Sequence, residues 1–364
     1  MRQVAVTGLG CVTALGDLRA TFDAACAGRS GIDGPGPFPG KGPVAAIPGG
    51  PHLTSALALL AAEQALGGRR PDRLAIVGGS TTGDMFVGER EYESWSRGGA
   101  PGPGFLWSQL CDRPAELLAR ALGASGPRLT LSTACASGAS AVGVAADWVR
   151  SGRADVVLAF GADALCALTV HGFGSLQAVA AGPCRPFDRA RTGLSLGEGA
   201  GALLLEELGA AERRGATVLA RITGYGAATD AWHATAPHPE GRGARAALRQ
   251  ALGDLPADQV GYVNAHGTGT KHNDEMEARV LAEELPGAAF SSIKGAIGHT
   301  LGAAGAIELA VTVRALVEGV MPPNVGTEDW AAPGLREATH RRVEHAISVN
   351  FAFGGSNVAV RVSA

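Results

Sequence analysis

Short apolar runs alternate with amphipathic or alanine-rich segments along most of the chain, which predicts strands that alternate with helices. Strands are predicted at residues 4–7, 74–78, 128–131, 156–160, 219–224, 260–265, 291–293, 347–351 and 358–362. Helices are predicted at residues 18–27, 52–66, 114–122, 137–150, 241–252, 274–285 and 303–317. This alternation is typical of a layered α/β architecture with buried sheets.

The order of these elements repeats in the second part of the chain. In each part a strand is followed by a reactive-looking residue, Cys135 in one and His299 in the other, and then by a helix rich in small residues. A repeated order of this kind indicates an internal duplication of an α/β unit. We therefore predict two halves, residues 1–209 and residues 210–364.

Several segments carry turn signals or little periodicity. The glycines that follow residue 7 predict a turn directly after the first strand. Residues 29–52 predict a loop, and residues 79–112 predict a polar region that contains glycine and tryptophan. Asn273 or Asp274 is expected to cap the helix that follows, because both residue types accept hydrogen bonds from helix N-terminal N–H groups.

The composition argues against several classes of protein. No apolar run reaches the roughly 18 residues that cross a bilayer, and the first residues show no signal-peptide pattern, so a cytoplasmic protein outside membranes is expected. A net charge of −3 gives no basic field for nucleic acid. The six cysteines lack the paired spacing of a zinc site and the nine histidines form no HxxxH pair, which disfavours a metal.

Cys135 stands at the predicted junction of strand 128–131 and helix 137–150. Because the start of a helix favours negative charge, we expect a lowered thiol pKa. The N–H groups there can also stabilise an oxyanion on a thioester carbonyl. The alternative is a small buried residue in a tight turn, which is the usual role of free cysteine. Two histidine motifs downstream favour catalysis.

The first histidine motif, His-Gly-Thr-Gly-Thr, follows the strand predicted at 260–265. His266 leaves the strand end among glycines, where a backbone can approach a ligand closely. Thr268 and Thr270 place two hydroxyl groups beside it, which suits hydrogen bonding to a polar linker. The alternative is a structural histidine that is satisfied by hydrogen bonds.

The second histidine motif holds Lys294 and His299 in a glycine-rich loop. Glu308 lies on the following helix and can reach Lys294, which predicts a buried ion pair that fixes the loop. Two imidazoles and a thiol form a set suited to thioester chemistry, in which cysteine is the nucleophile and the imidazoles stabilise an enolate.

A last motif, Phe351-Ala352-Phe353-Gly354-Gly355, follows the strand predicted at 347–351. Phe353 before two glycines can act as a gate, and its backbone N–H can donate to an oxyanion. Phe351 is a candidate for substrate contact. The alternative is a β-hairpin turn with aromatic packing.

Together these motifs resemble those of the β-ketoacyl-acyl carrier protein synthases, the decarboxylating Cys-His-His enzymes of the thiolase superfamily. The resemblance covers most of the chain. The motifs that carry it lie at residues 4–10, 133–138, 184–188, 197–201, 230–237, 266–270, 294–299 and 351–355.

The resemblance implies a thiolase-like fold of two duplicated α/β halves in a layered αβαβα architecture. It also implies that Cys135 accepts the acyl chain, while His266 and His299 drive decarboxylation of a malonyl thioester. Lys294 with Glu308 would order the catalytic loop. No cofactor is implied, since the phosphopantetheine arrives on the acyl carrier protein.

The same resemblance implies that the N–H groups of Cys135 and Phe353 form the oxyanion hole, and that Thr268 and Thr270 hold the pantetheine arm. The implied product is a 3-ketoacyl-carrier protein of fatty acid or type II polyketide or polyene synthesis. One alternative is a homologue that transfers acyl groups without decarboxylation, which the presence of both histidines disfavours. Another is a subunit that only shapes the tunnel of a heterodimer, against which Cys135 argues.

The family's partners are an acidic carrier protein and a second subunit, in a homodimer or in a heterodimer with a chain-length-factor-like chain. The heterodimer leaves open that this chain is a ketosynthase that needs such a partner. Arg189 and Arg191 are candidates for carrier docking. The alternative is that both are solvated surface arginines.

Overall fold

The computed structural model describes residues 2–34, 36–38, 40, 42–50, 52–100, 102 and 104–364. Within them the strands are β1 (Val4–Thr13), β2 (Gly16–Asp17), β3 (Ala75–Gly79), β4 (Arg128–Leu131), β5 (Val156–Asp163), β6 (Gly199–Glu207), β7 (Ala220–Thr229), β8 (Val260–Asn264), β9 (Ala289–Ser291), β10 (Val320–Met321), β11 (Thr339–His340), β12 (His345–Phe351) and β13 (Ser356–Ser363).

The helices of the same residues include the seven that were predicted, with bounds that differ by a few residues. They are α1 (Leu18–Cys26), α2 (Thr54–Leu66), α3 (Met85–Ser96), α4 (Gly104–Ser108), α5 (Arg113–Leu122), α6 (Ser137–Arg150), α7 (Ala167–Ser175), α8 (Leu208–Arg213), α9 (Arg242–Leu252), α10 (Lys271–Glu284), α11 (Lys294–Ile297) and α12 (Ala304–Glu318).

One mixed sheet repeats the same strand order on either side of its centre. From the centre outward, one side runs β1–β6–β5–β3–β4 and the other runs β7–β13–β12–β8–β9. On both sides the first two pairings are antiparallel and the outer two are parallel. This correspondence confirms the predicted duplication of an α/β unit, while the boundary between residues 209 and 210 stays a prediction.

Helices α6 and α12 form the middle layer between the two sides of the sheet. Both contact strands of each side and pack against each other, and α12 is buried along most of its length. Helix α2 covers β1 and β6 from outside, and α9 covers β7 and β13. The resulting order of layers is αβαβα, as predicted.

Small residues let the two middle helices approach closely. A Cβ atom built on Gly138 of α6 would lie 2.8 Å from the Gly302 carbonyl oxygen and 2.9 Å from the Ala306 nitrogen. Such distances leave no room for a side chain. The start of α6, where Cys135 lies, therefore packs directly against the segment that follows His299.

The prediction of a turn after residue 7 is wrong, because β1 continues to Thr13. Gly8 and Gly10 lie within the strand, beneath α2. A Cβ atom at Gly8 would stand 1.9 Å from the Ala65 carbonyl oxygen, and one at Gly10 would stand 1.8 Å from that of Ala61. These glycines serve close helix packing rather than a reversal of the chain.

Other differences come from segments where glycine concealed regular structure. The region 79–112 holds α3 and α4, and the glycine-rich segment after residue 197 runs into β6. Helix α7, rich in glycine, was also not predicted. Within the described residues no helix is both long and apolar enough to cross a membrane.

The contact between β1 and α2 predicts a position-specific loss of stability. We expect Gly10→Ala to lower the free energy of unfolding by at least about 2 kcal/mol, since the new methyl group meets backbone that cannot rotate away. Gly182→Ala is the matched control, because its Cβ atom meets nothing within 4 Å. Thermal unfolding followed by circular dichroism should show a lower Tm for the first variant alone. Equal Tm values for both variants would contradict the packing described here.

Candidate active site

Cys135 lies in a tight turn between β4 and α6. The preceding residue, Ala134, has a φ of 50°, a conformation that residues other than glycine rarely adopt. The Ser137 hydroxyl supports this turn, since it accepts from the Thr133 N–H at 2.9 Å and donates to the Ala134 carbonyl at 2.6 Å. The turn thereby fixes the thiol at the base of a cavity.

That cavity has a volume of ≈ 450 Å³ and runs from a buried end to an open end. Cys135, His266 and His299 line the buried end, where each is at most 6% exposed. The other predicted residues that line it are Thr268, Thr270, Phe351 and Phe353. The structure therefore brings the thiol, both imidazoles, both threonines and both phenylalanines to one space.

The expectation of a lowered pKa for the Cys135 thiol is wrong. Burial raises the pKa of Cys135 to about 11, although the Lys294 charge and the backbone N–H groups of Phe353 and Cys135 oppose this rise. The nearby carboxylate of Asp163 adds to it. Removal of the thiol from water thus outweighs the favourable N–H groups at the start of the helix.

The two imidazoles are neutral and present the same nitrogen to the cavity. Burial, with the Lys294 charge, holds the pKa of both His266 and His299 well below the usual range. His266 Nδ1 lies 3.3 Å from the Lys294 ammonium, and His299 Nδ1 accepts from the Leu301 N–H at 3.1 Å. Because each Nδ1 is an acceptor, each Nε2 carries the proton and is free to donate.

The predicted contact between Lys294 and Glu308 is present. Their charged groups form a fully buried ion pair, and the ammonium also donates to the His266 carbonyl oxygen at 2.6 Å. The second carboxylate oxygen accepts from the Asn350 side chain at 2.7 Å. This pair therefore joins α11 and α12 to the loop of the first histidine and to strand β12.

Two carboxylates on α10 hold the loop of residues 266–270, which connects β8 to α10. This role was not predicted from the sequence. Glu277 accepts from the N–H groups of His266 and Gly267 at 2.6 and 2.8 Å. Asp274 accepts from the N–H groups of Thr268 at 3.1 Å and of Gly269 at 3.1 Å. Acidic residues one turn apart after the glycine-rich loop were the available signal.

The predicted helix cap at residues 273 or 274 is also wrong, because α10 begins earlier and Thr270 precedes its first residue. Asp274 lies within the first turn. Its carboxylate turns back to the loop, where it accepts from the Thr268 and Gly269 N–H groups instead of capping its own helix. Thr268 and Thr270 hydroxyl groups lie 2.9 Å apart at the cavity wall.

Aromatic rings border the cavity on the side of β12. The Phe353 ring stacks on that of Phe173, with centroids 5.7 Å apart, and Phe173 lies on α7. The Phe351 ring lies edge-on to His266 at 6.0 Å. Residues 353–355 also form the turn between β12 and β13. The segment is therefore a β-hairpin turn, and Phe353 within it also lines the cavity.

Asp163 is a further buried carboxylate that sequence reasoning missed. It accepts from the N–H groups of Thr81, Thr82 and Gly302, the last at 2.6 Å. Gly302 follows the His299 motif, so this contact joins the second histidine loop to the end of β5. No local pattern signalled it, because its partners lie far away in the chain.

Arg191 does not have the exposure that a docking role requires. Its side chain is 10% exposed, and its guanidinium donates to the backbone carbonyls of Asp188 and Lys271 at 2.8 and 3.0 Å. Neither predicted role, carrier docking or solvated surface residue, therefore describes it. Arg189 is 66% exposed beside Asp329, and docking there stays a prediction.

Family comparisons agree over most of the chain. The N-terminal domain of the β-ketoacyl synthases matches residues 56–211, and the C-terminal domain of the same enzymes matches residues 219–328.

Individual proteins are also similar to this chain. The tetracenomycin polyketide synthase ketoacyl synthase alpha subunit of Streptomyces glaucescens is 37% identical, over 78% of this chain and 73% of its own. The 3-oxoacyl-(acyl-carrier-protein) synthase 2 of Synechocystis is 38% identical, over 71% and 66%. Among solved structures, the ishigamide ketosynthase/chain length factor superposes with a TM-score of 0.91 at 28% identity, over 100% of this chain and 99% of the other.

The raised pKa of Cys135 predicts how the thiol reacts with a neutral alkylating agent. Because the thiolate is the reacting form, the alkylation rate should rise about tenfold per pH unit from pH 7 to pH 9. Iodoacetamide labelling, quenched at intervals and read on the Cys135 peptide by mass spectrometry, measures this rate. A plateau below pH 8 would show that the helix N-terminus outweighs burial.

Proposed function

The chain belongs to the β-ketoacyl synthase family and is an enzyme of that class, and we propose that it catalyses a decarboxylative Claisen condensation. It joins an acyl thioester to malonyl-acyl carrier protein and gives 3-ketoacyl-acyl carrier protein, in fatty acid or type II polyketide synthesis. The observation that carries this proposal is that Cys135, His266 and His299 meet at the buried end of one cavity, where Nδ1 of each imidazole lies against a donor.

The first step transfers the acyl group to Cys135. The thiol sulfur attacks the carbonyl carbon of the incoming thioester, and the bond to the pantetheine sulfur breaks. The proton of the cysteine thiol ends on the departing pantetheine sulfur, so the exchange is balanced. The backbone N–H groups of Cys135 and Phe353, which act to lower the pKa of the thiol, then donate to the carbonyl oxygen in the tetrahedral intermediate.

The second step breaks the carbon–carbon bond of the malonyl group. The Nε2–H groups of His266 and His299 donate hydrogen bonds to the carbonyl oxygen of the malonyl thioester. Carbon dioxide leaves, and the electron pair of the broken bond forms an enolate. Neutral donors suit this step because the site is buried, and a buried donor stabilises developing charge more than it would in water. The enolate carbon then attacks the acyl carbonyl on Cys135. The carbon–sulfur bond breaks, the sulfur leaves as a thiolate, and it takes a proton from water to restore the thiol.

Two features favour this reaction over simple acyl transfer. Acyl transfer needs a thiol and an oxyanion hole, whereas this cavity also holds two imidazoles that both carry an available Nε2–H. The Lys294–Glu308 pair orients the first of them, and such a buried pair is costly unless it is satisfied by further contacts. On this proposal the pantetheine arm arrives on the carrier protein, and the enzyme holds no cofactor of its own.

We further propose that the enzyme works as a dimer, with itself or with a chain-length-factor-like subunit. Strand β4 ends the sheet and leaves one edge unpaired in the described structure. Helices α3 and α4, which lie between β3 and β4 in the chain, carry large apolar side chains that are at least 49% exposed: Tyr92, Trp95, Leu106 and Trp107. Exposed aromatic groups on neighbouring helices favour a protein partner.

Six free cysteines fit a reducing, cytoplasmic location.

The proposal predicts two separable reactions. Purified protein is incubated with acyl-carrier protein and then with malonyl-carrier protein, and both proteins are read by intact mass spectrometry. We expect an acyl group on Cys135 and then a 3-ketoacyl-carrier product. Acylation without elongation would indicate that a second subunit is required, and no acylation with any chain length would contradict the proposal.

Histidine variants separate the two reactions further. His266→Ala and His299→Ala should still accept an acyl group on Cys135, yet lose at least about 100-fold in decarboxylation of malonyl-carrier protein, the usual loss when one oxyanion donor is removed. His340→Ala, which alters an exposed histidine outside the cavity, is the control. A His266→Ala variant that decarboxylates at the wild-type rate would exclude the assigned donor role.

A further inference from the structure

The open end of the catalytic cavity carries two basic residues that the reaction described above does not use. Lys271 and His272 are the first two residues of α10, and both are exposed and line the cavity. The thiol and the catalytic imidazoles lie at the other, buried end. A substrate arm that reaches Cys135 therefore passes Lys271 and His272 where it leaves the protein.

Lys271 is available for an anion. Among the described residues, Lys294 forms an ion pair, whereas Lys271 forms none, although Glu275 lies one turn further along the same helix. The carboxylate at the cavity wall, Asp230, already accepts from the N–H groups of His238 and Gly243. The charge at the opening is therefore not neutralised by a carboxylate of the described chain.

The backbone that carries Lys271 is held from below by Arg191. This guanidinium donates to the carbonyl oxygens of Thr270 at 3.4 Å and of Lys271 at 3.0 Å, and it lies 3.8 Å from the Asp274 carboxylate. Because the backbone is fixed before a ligand arrives, binding to the Lys271 side chain costs less conformational freedom.

We propose that Lys271 and His272 bind the phosphate group at the far end of the pantetheine arm. This inference rests on the proposed function, which requires a pantetheine thioester as substrate. Pantetheine itself is neutral, and on the proposed function it lies beside Thr268 and Thr270 in the cavity. The negative charge of the phosphate then falls at the exposed end. A lysine binds phosphate as a point charge, and an imidazole N–H adds a hydrogen bond.

The test compares two small substrates that differ in this phosphate alone, acyl-phosphopantetheine and acyl-pantetheine. Wild-type protein should load Cys135 about fivefold faster, in kcat/KM, from the phosphorylated compound, the scale expected of one exposed charge pair. Lys271→Gln should bring the ratio of the two rate constants close to one, and Lys271→Arg should keep most of it. Arg342→Ala, which removes an exposed charge outside the cavity, should keep the wild-type ratio.

High salt should reduce the wild-type ratio, because an exposed charge pair is screened. A wild-type ratio of one, or an unchanged ratio in Lys271→Gln, would overturn the phosphate site while Cys135 is still acylated. Failure of both compounds to acylate Cys135 would instead overturn the proposed function, and this site with it. Acyl-carrier protein and acyl-coenzyme A distinguish the source of the phosphate, since a loss confined to acyl-coenzyme A in Lys271→Gln would exclude the carrier.

Discussion

The buried ion pair between Lys294 and Glu308 is the interaction on which the rest of the site depends. Neither charged group is accessible to solvent, so each requires the other. Removal of one partner from such a pair typically lowers the free energy of unfolding by about 3–5 kcal/mol. The ammonium also contacts the carbonyl oxygen and Nδ1 of His266, and its charge lowers the pKa of both imidazoles in the cavity. One contact therefore fixes the loop, the tautomer and the charge state of the first histidine.

The duplicated fold explains how residues distant in sequence meet at one cavity. The thiol comes from the turn before α6 and the imidazoles come from loops of the second half, and the close packing of α6 against the start of α12 brings these segments together. Buried carboxylates then fix the loops by accepting backbone N–H groups, Asp163 for the segment after His299 and Glu277 for the segment after β8. The geometry is thus set by backbone contacts as much as by the side chains that line the cavity.

The motifs themselves could be recognised from sequence, because each places a reactive residue beside glycines at the end of a predicted strand. Cys135, His266 and His299 were obtained in that way, and the Lys294–Glu308 contact was predicted because Glu308 lies on the helix that follows the second histidine motif. The thiol pKa was not, since its rise comes from burial by elements remote in the chain. Asp163 was missed for a related reason, because its partners are backbone groups that carry no sequence signal. The role of a glycine is equally hard to predict from sequence, because it depends on what packs against it. Gly10 lies in a strand beneath a helix rather than in a turn.

Both imidazoles at the buried end of the cavity are neutral and hold their proton on Nε2. Nitrogen-15 NMR of histidine-labelled protein measures this directly, with the two signals assigned through single histidine variants. We expect two imidazoles that remain neutral from pH 8 down to pH 6, each with a protonated Nε2 and an unprotonated Nδ1. An imidazolium signal in that range, or a proton on Nδ1 of either residue, would contradict it.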